Sequence, residues 1–355
     1  MATVQPRRGR DRPSHRAERL PRAHRARALA VPGASRRAAA PTGIVSGPLE
    51  PDPAAALRGG LRAATALTRA LGPVRYPVAD AVGLVAAGLL PGRRHRAAAN
   101  HRRLDPEIAA REARRRARAS FRGFARTGID FLWANGMDSD DVLRVSRVAG
   151  GKDLCDQATA AGRGGVLALT HFGNWDMAAN IAFAIGLHLT TVMAGTGPRA
   201  ITDLVVWARR RNQLEVYEAD SAALGLVRAL RRNRFVAILC DLPGGGPTVD
   251  VHYCGGNMPF SLAPAWLAMR TGAPLLPTAC WRDGDTYVLD TFELIPAERD
   301  GDARELMQRV ATTVEAAVRR HPDQWYPFRE MYSDGAAAAA HPQPQPGAVT
   351  SEQAG

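Results

Sequence analysis

The sequence predicts an α/β fold: a mostly parallel central sheet flanked by helices, with an N-terminal helical membrane-association region ahead of it. Three observations lead there. From residue 150 onward, short β-rich apolar runs alternate with helical stretches, the pattern of a layered parallel sheet. The chain has 355 residues, 46% of them hydrophobic, enough to bury a sizeable core. Before residue 150, apolar residues recur at helical rather than strand spacing.

Taken in order, residues 1–50 are Arg-, Pro- and Ala-rich without sustained periodicity and are expected to be a disordered basic arm. Residues 51–149 read as helical. Leu57, Leu61, Ala64, Leu67 and Leu71 recur at three- and four-residue steps, which places them on one helical face. Ala81 to Leu90 is uncharged and apolar, but about half the ~20 residues a membrane span needs. With Arg93, Arg94 and Arg96 close behind, two readings stand side by side: a helix lying in a membrane interface, and an ordinary buried helix. A second long helix is expected from about Pro106 to Ala134.

Strands are expected at residues 165–170, 189–193, 214–217, 235–239, 274–279 and 286–289, with helices from Trp175 to Ile185 and from Leu204 to Arg211 between them. An amphipathic helix over 302–320 closes the α/β layer of residues 150–332. The Ala/Pro/Gln-rich stretch 333–355 is expected to be a disordered tail.

Charge and cysteine content narrow the function classes. Eleven arginines against Asp11 and Glu18 in residues 1–40 account for +9 of the formal +13, so the remainder of the chain is only mildly basic. Such an arm suits an anionic membrane surface, at roughly 1 kcal/mol per basic residue near the lipid, and no nucleic-acid partner is expected. No apolar segment follows Arg7-Arg8, so export is not expected. Cys155, Cys240, Cys254 and Cys280 lie far apart, which argues against a disulfide framework or zinc site and for a reducing cytoplasm.

The chemistry concentrates in Thr170-His171-Phe172-Gly173-Asn174-Trp175-Asp176-Met177, where a buried strand stops and a helix begins. In open α/β sheets ligands bind at this carboxyl end. Gly173 permits a tight turn and Asn174 is a good N-cap. His171 is expected to emerge from the strand tip, with Asp176 folding back from the first helical turn. A carboxylate there would accept the Nδ1 proton, fix the tautomer and leave Nε2 as a base. The ordinary alternative is a capping aspartate near a surface histidine.

His171-Phe-Gly-Asn-Trp-Asp176 resembles the H-x-x-x-x-D/E signature of the lysophospholipid acyltransferase superfamily. Its flavour is similar to the bacterial lipid A late acyltransferases and to their actinobacterial relatives, the phosphatidylinositol mannoside acyltransferases. The likeness continues in order. It runs through Arg209-Arg210-Arg211-Asn212, Ala237-Ile238-Leu239-Cys240-Asp241 with Gly244-Gly245-Gly246, and Val249-Asp250-Val251-His252-Tyr253-Cys254-Gly255. It then continues through Arg270-Thr271-Gly272-Ala273-Pro274-Leu275 and His321-Pro322-Asp323-Gln324-Trp325-Tyr326. The family's paired aromatic before glycine is Tyr253-Cys254 here, and its G-P-A is Ala263-Pro264-Ala265; both departures bear on substrate identity.

The resemblance implies an O-acyltransferase that moves a fatty acyl group from acyl-CoA or acyl carrier protein to a hydroxyl of a glycolipid such as a phosphatidylinositol mannoside. It would work peripherally on the cytoplasmic face of the cell membrane, with no cofactor and no metal. It makes His171, Asp176 and Asp250 the catalytic candidates, the two aspartates being rival partners of the imidazole. Arg211, Asn174, Gly173 and Asp241 become the substrate-binding candidates, with Arg211 and the Gly173–Asn174 amides placed to stabilise an oxyanion. The alternatives are a thioesterase using the same site, acyl transfer to a specialised-metabolite alcohol, and a non-catalytic lipid- or nucleic-acid-binding protein using the basic arm.

Overall fold

The computed structural model describes residues 47–195, 197–242 and 246–333. Of the expected disordered arm, residues 1–46 lie outside the described residues. So do residue 334 onward of the expected tail and most of the Gly244–Gly246 loop.

Among the described residues five α-helices come first: α1 (Ala55–Ala70), α2 (Arg75–Leu89), α3 (Pro91–Leu104), α4 (Ala110–Trp133) and α5 (Ser139–Arg144). The α/β layer follows as β1 (Ser146–Gly150), α6 (Lys152–Ala160), β2 (Gly165–Leu169), α7 (Trp175–Ala184), β3 (Leu189–Met193), α8 (Arg199–Arg211), β4 (Glu215–Glu218), α9 (Ala223–Arg231) and β5 (Phe235–Leu239). A hairpin, β6 (Thr248–Tyr253) and β7 (Gly256–Ser261), precedes α10 (Ala263–Thr271), β8 (Leu275–Asp283), β9 (Thr286–Thr291) and α11 (Ala303–Arg320).

The seven-stranded sheet runs β1-β9-β8-β2-β5-β3-β4, and only the β8–β9 pair is antiparallel. β2 lies between β8 and β5 and is buried at all five positions. Alternation splits its side chains between two cores: Val166 and Ala168 face the cluster shared with α9, α10 and α11, while Leu167 and Leu169 face the one shared with α7. The sheet is thus covered on both faces, and β2 ends inside the molecule. β1 was not foreseen; it lies at the sheet's edge with alternate positions exposed, so it lacks the apolar run that marked the others.

Small residues let α2 lie close on α4. Ala79, Gly83 and Ala87 form its buried face, and a Cβ at Gly83 would stand 2.7 Å from the Phe121 carbonyl oxygen. Asp80 fastens the pair by accepting from Arg126 at 2.6 and 2.7 Å and from Arg122. The outward face carries Val78, Val82, Val85 and Leu89, all exposed. Among the described residues no single helix is long and apolar enough to cross a membrane; Gly72–Leu89 and Pro91–Leu104 reach that length only together, bent by 100°.

The face that α1 buries is only partly its leucine stripe. Leu61, Thr65 and Thr68 are the buried residues, and Leu67 is 61% exposed. There the Thr68 hydroxyl donates to the Thr65 carbonyl at 2.9 Å, while the buried Thr65 hydroxyl has no hydrogen-bond partner among the described residues.

Candidate active site

β2 and β5 run parallel and in register, Leu169 beside Leu239. His171 and Asp241 each follow two residues later, so both leave the sheet at the same height on adjacent strands. Nδ1 of His171 and Oδ1 of Asp241 are 2.8 Å apart. The His171 backbone N–H also donates to both carboxylate oxygens, at 3.0 and 2.9 Å. The Asp241 side chain is wholly buried, while that of His171 keeps 26% of its surface exposed. A buried carboxylate accepts only, so Nδ1 carries the proton and Nε2 is left with its lone pair. Trp175 presents its ring edge-on to the imidazole at 5.1 Å between centroids.

The turn that aims the histidine is over-determined. Gly173 has φ +63°, and a Cβ there would lie 1.9 Å from the Cys280 carbonyl oxygen. Its N–H donates to the Gln324 carbonyl at 2.8 Å, and its own carbonyl accepts from the Tyr326 hydroxyl at 3.0 Å. Phe172 and Trp325 form an antiparallel bridge. Asn174 caps α7, its Oδ1 accepting from the Met177 N–H at 2.9 Å, and its own N–H donates to the Cys280 carbonyl at 2.7 Å. The His321–Tyr326 block therefore clamps the turn rather than supplying a reacting group. His321 itself stacks on Trp281, 5.3 Å between centroids.

Several expectations are corrected by this geometry. Asp176 does not reach the imidazole: it is held by Arg209, at 2.8 Å from Nε and 3.2 Å from Nη2, the two side chains 15% and 17% exposed. Asp250 lies on the outer side of the β6–β7 hairpin, exposed and paired across from Pro259, because strand alternation turns Val251 and Tyr253 inward instead. Arg211 does not line the cavity at His171; exposed at the last turn of α8, it lies over the Trp207 ring at 5.1 Å. Lys152, Arg209 and Arg329 do line it, and of these Arg209 is the one that pairs with Asp176. The Gly173 and Asn174 amides already donate to carbonyls, so neither is free to meet an oxyanion.

Asp241, expected as a substrate contact, is instead the imidazole's partner. The signal for it was present: both residues follow apolar runs by the same offset, but seventy residues apart, so only the strand order reveals that they meet.

A cavity of about 1060 Å³ opens at these strand tips, lined by His171, Trp175 and Arg209 and otherwise mostly by aliphatic side chains of both sheet faces. All four cysteines are buried, and burial pushes the thiols of Cys240 and Cys254 well above their ordinary range, unsuited to act as nucleophiles. The site is thus a carboxylate-held imidazole in the lining of a largely apolar cavity, on an α/β sheet.

A sequence profile of the bacterial lipid A biosynthesis acyltransferases matches residues 62–332, and the chain belongs to that family. A phosphatidylinositol mannoside acyltransferase of Mycobacterium tuberculosis is 32% identical over 193 residues, 53% of this chain and 61% of the relative. One of Mycolicibacterium smegmatis is 30% identical over 181 residues, 49% of this chain and 59% of the relative. The chain spans about three-fifths of the length of these curated relatives.

Proposed function

We propose that the chain transfers a fatty acyl group from a thioester, acyl-CoA or acyl carrier protein, to a hydroxyl of a glycolipid, with a phosphatidylinositol mannoside as the acceptor its relatives suggest. The observation that carries the reading is the 2.8 Å contact between His171 Nδ1 and buried Asp241, with His171 lining a cavity that has room for an alkyl chain.

The acceptor oxygen loses its proton to Nε2 of His171 as it attacks the thioester carbonyl. Asp241 holds the ring and stabilises the imidazolium that forms. The tetrahedral oxyanion lies near the N-terminus of α7, whose dipole favours negative charge. Collapse breaks the carbon–sulfur bond, and the departing thiolate takes the proton from Nε2. A new ester and a free thiol are the products, and no covalent acyl-enzyme is required.

The exposed apolar face of α2 supports a place for the enzyme on the membrane. Val78, Val82, Val85 and Leu89 would enter the interface while Arg93, Arg94 and Arg96 meet anionic headgroups, on the cytoplasmic leaflet where acyl thioesters are available.

The test is transfer of radiolabelled palmitate from palmitoyl-CoA to phosphatidylinositol mannoside. The wild type is expected to form the acylated lipid, and His171→Ala to lose it by about 10²–10⁴-fold with an unchanged circular dichroism spectrum. Thioester loss that proceeds at the same rate without acceptor lipid would mark a thioesterase instead.

A further inference from the structure

We infer that Tyr253 is a positioning residue for His171: acting through Thr170, its hydroxyl fixes the stretch of chain that delivers the imidazole onto Asp241. The inference rests on the acyltransferase reading above and adds to it a residue that need touch neither substrate.

The pairing of β2 with β5 ends at Leu169 and Leu239, and the reacting pair stands two residues further along each strand. One residue on each side, Thr170 and Cys240, therefore carries the geometry from the sheet to the pair. Cys240 is still fastened to β2, its N–H donating to the Leu169 carbonyl at 2.8 Å, and its own carbonyl accepts from the Ser261 N–H of β7 at 2.8 Å. The Thr170 carbonyl accepts from the Phe172 N–H at 2.7 Å, a contact within the turn itself. Its hydroxyl oxygen accepts from the Tyr253 hydroxyl of β6 at 3.2 Å. The β6–β7 hairpin thus reaches both residues that precede the pair, one strand to each.

Tyr253 is built for that task. Both it and Thr170 are buried, and its ring packs edge-on against Phe260 at 5.1 Å between centroids. Burial, and to a lesser degree Cys254 and Asp241, push the phenol well above its ordinary range, so the hydroxyl keeps its proton and donates. Away from water a hydroxyl without a partner is costly, so the two side chains hold each other.

The hairpin itself is a fixed support. Cys254 at its tip has φ +51°, a left-handed conformation that a non-glycine residue adopts at a cost. Glu315 of α11 accepts from the Cys254 N–H at 2.8 Å, and the Tyr332 hydroxyl donates to the Cys254 carbonyl at 2.6 Å. Backbone strain persists where the surroundings over-determine it, as they do here.

A reacting group must be held within about 0.5 Å of its productive place. Neither Thr170 nor Tyr253 lines the cavity. Loss of their hydrogen bond should therefore act on the base and leave substrate binding alone.

The test measures kcat and KM with palmitoyl-CoA and phosphatidylinositol mannoside in variants of the full chain. Tyr253→Phe, which deletes one oxygen atom, should lower kcat about 10-fold with both KM values within about twofold. Thr170→Val should lower kcat similarly, and Thr170→Ser, which keeps the accepting hydroxyl, should restore most of it. On a His171→Ala background Tyr253→Phe should cost nothing further, because no base is left to position. Phe260→Leu loosens the packing of the Tyr253 ring but keeps both hydroxyls; it should lower the urea midpoint and leave kcat within about twofold. Should Thr170→Val not fold, Tyr253→Phe and the His171→Ala background decide. An unchanged kcat in Tyr253→Phe, a rise in KM in its place, an equal loss in Phe260→Leu, or a further loss on the His171→Ala background would overturn the inference. A wild type that consumes thioester without forming acylated lipid would instead overturn the acyltransferase reading, and the same comparisons made on thioester loss would then test Tyr253. A wild type that consumes no thioester would overturn both.

Discussion

Asp241 holds His171 twice, once at the ring and once at the backbone N–H, so one buried carboxylate fixes both the tautomer and the path of the chain leaving β2. The parallel register of β2 and β5 makes this possible. It also separates this aspartate from the two others that could be considered beside the histidine.

Replacing each aspartate in turn distinguishes them. Asp241→Asn should lower kcat about 10²-fold or more, since a neutral amide neither enforces the tautomer nor stabilises imidazolium. Asp250→Asn, on the exposed side of the hairpin, should leave kcat within about twofold. Steady-state rates with palmitoyl-CoA and the lipid acceptor measure both.

Asp176 has a different task. Its loss leaves the Arg209 guanidinium, 17% exposed, without its carboxylate, at a cost of about 2 kcal/mol. Asp176→Ala should therefore lower the urea midpoint, and Asp176→Asn with Arg209→Gln should recover part of that loss. Equal midpoints for Asp176→Ala and the wild type would show that the pair contributes nothing to the fold.

Gly173 should tolerate no side chain. At φ +63°, with the Cys280 carbonyl oxygen 1.9 Å from the position of a Cβ, Gly173→Ala must displace β8 or open the turn. The expected cost is about 3 kcal/mol, with loss of activity even where the protein folds. Thermal unfolding gives the first quantity and an acyl-transfer assay the second.

The buried imidazole of His101 makes stability depend on pH. Burial, helped by Arg116, lowers its pKa from 6.5 to about 4; Nε2 lies 2.9 Å from the Ser120 hydroxyl and the ring stands edge-on to Trp325. The unfolded chain binds this proton at about pH 6.5 and the folded one only near pH 4, so stability is fully present above 6.5 and falls as pH drops toward 4. The whole span is about 3 kcal/mol. Urea midpoints measured across that window should fall less steeply in His101→Gln than in the wild type.

Much of the sheet was legible because β2, β5 and β8 are buried on both faces and read as continuous apolar runs. β1 and β7 were not, since an edge strand with alternate residues exposed and a hairpin strand holding Pro259 lack that mark. The histidine, its glycine turn and the Asn174 cap are local and could be read from six consecutive residues. Its carboxylate partner could not: nearness in sequence favoured Asp176 and the family pattern favoured Asp250, while the contact itself depends on β5 lying next to β2. The role of the Gln324–Tyr326 segment in bracing Gly173 was hidden for the same reason.

The most direct test of the His171–Asp241 partnership is a double-mutant cycle on kcat, with His171→Ala, Asp241→Asn and the two combined. If the carboxylate acts only through the imidazole, the double variant should be no slower than His171→Ala alone. Losses that multiply would mean that Asp241 contributes independently, and would contradict a base held and charged by its neighbour on the adjoining strand.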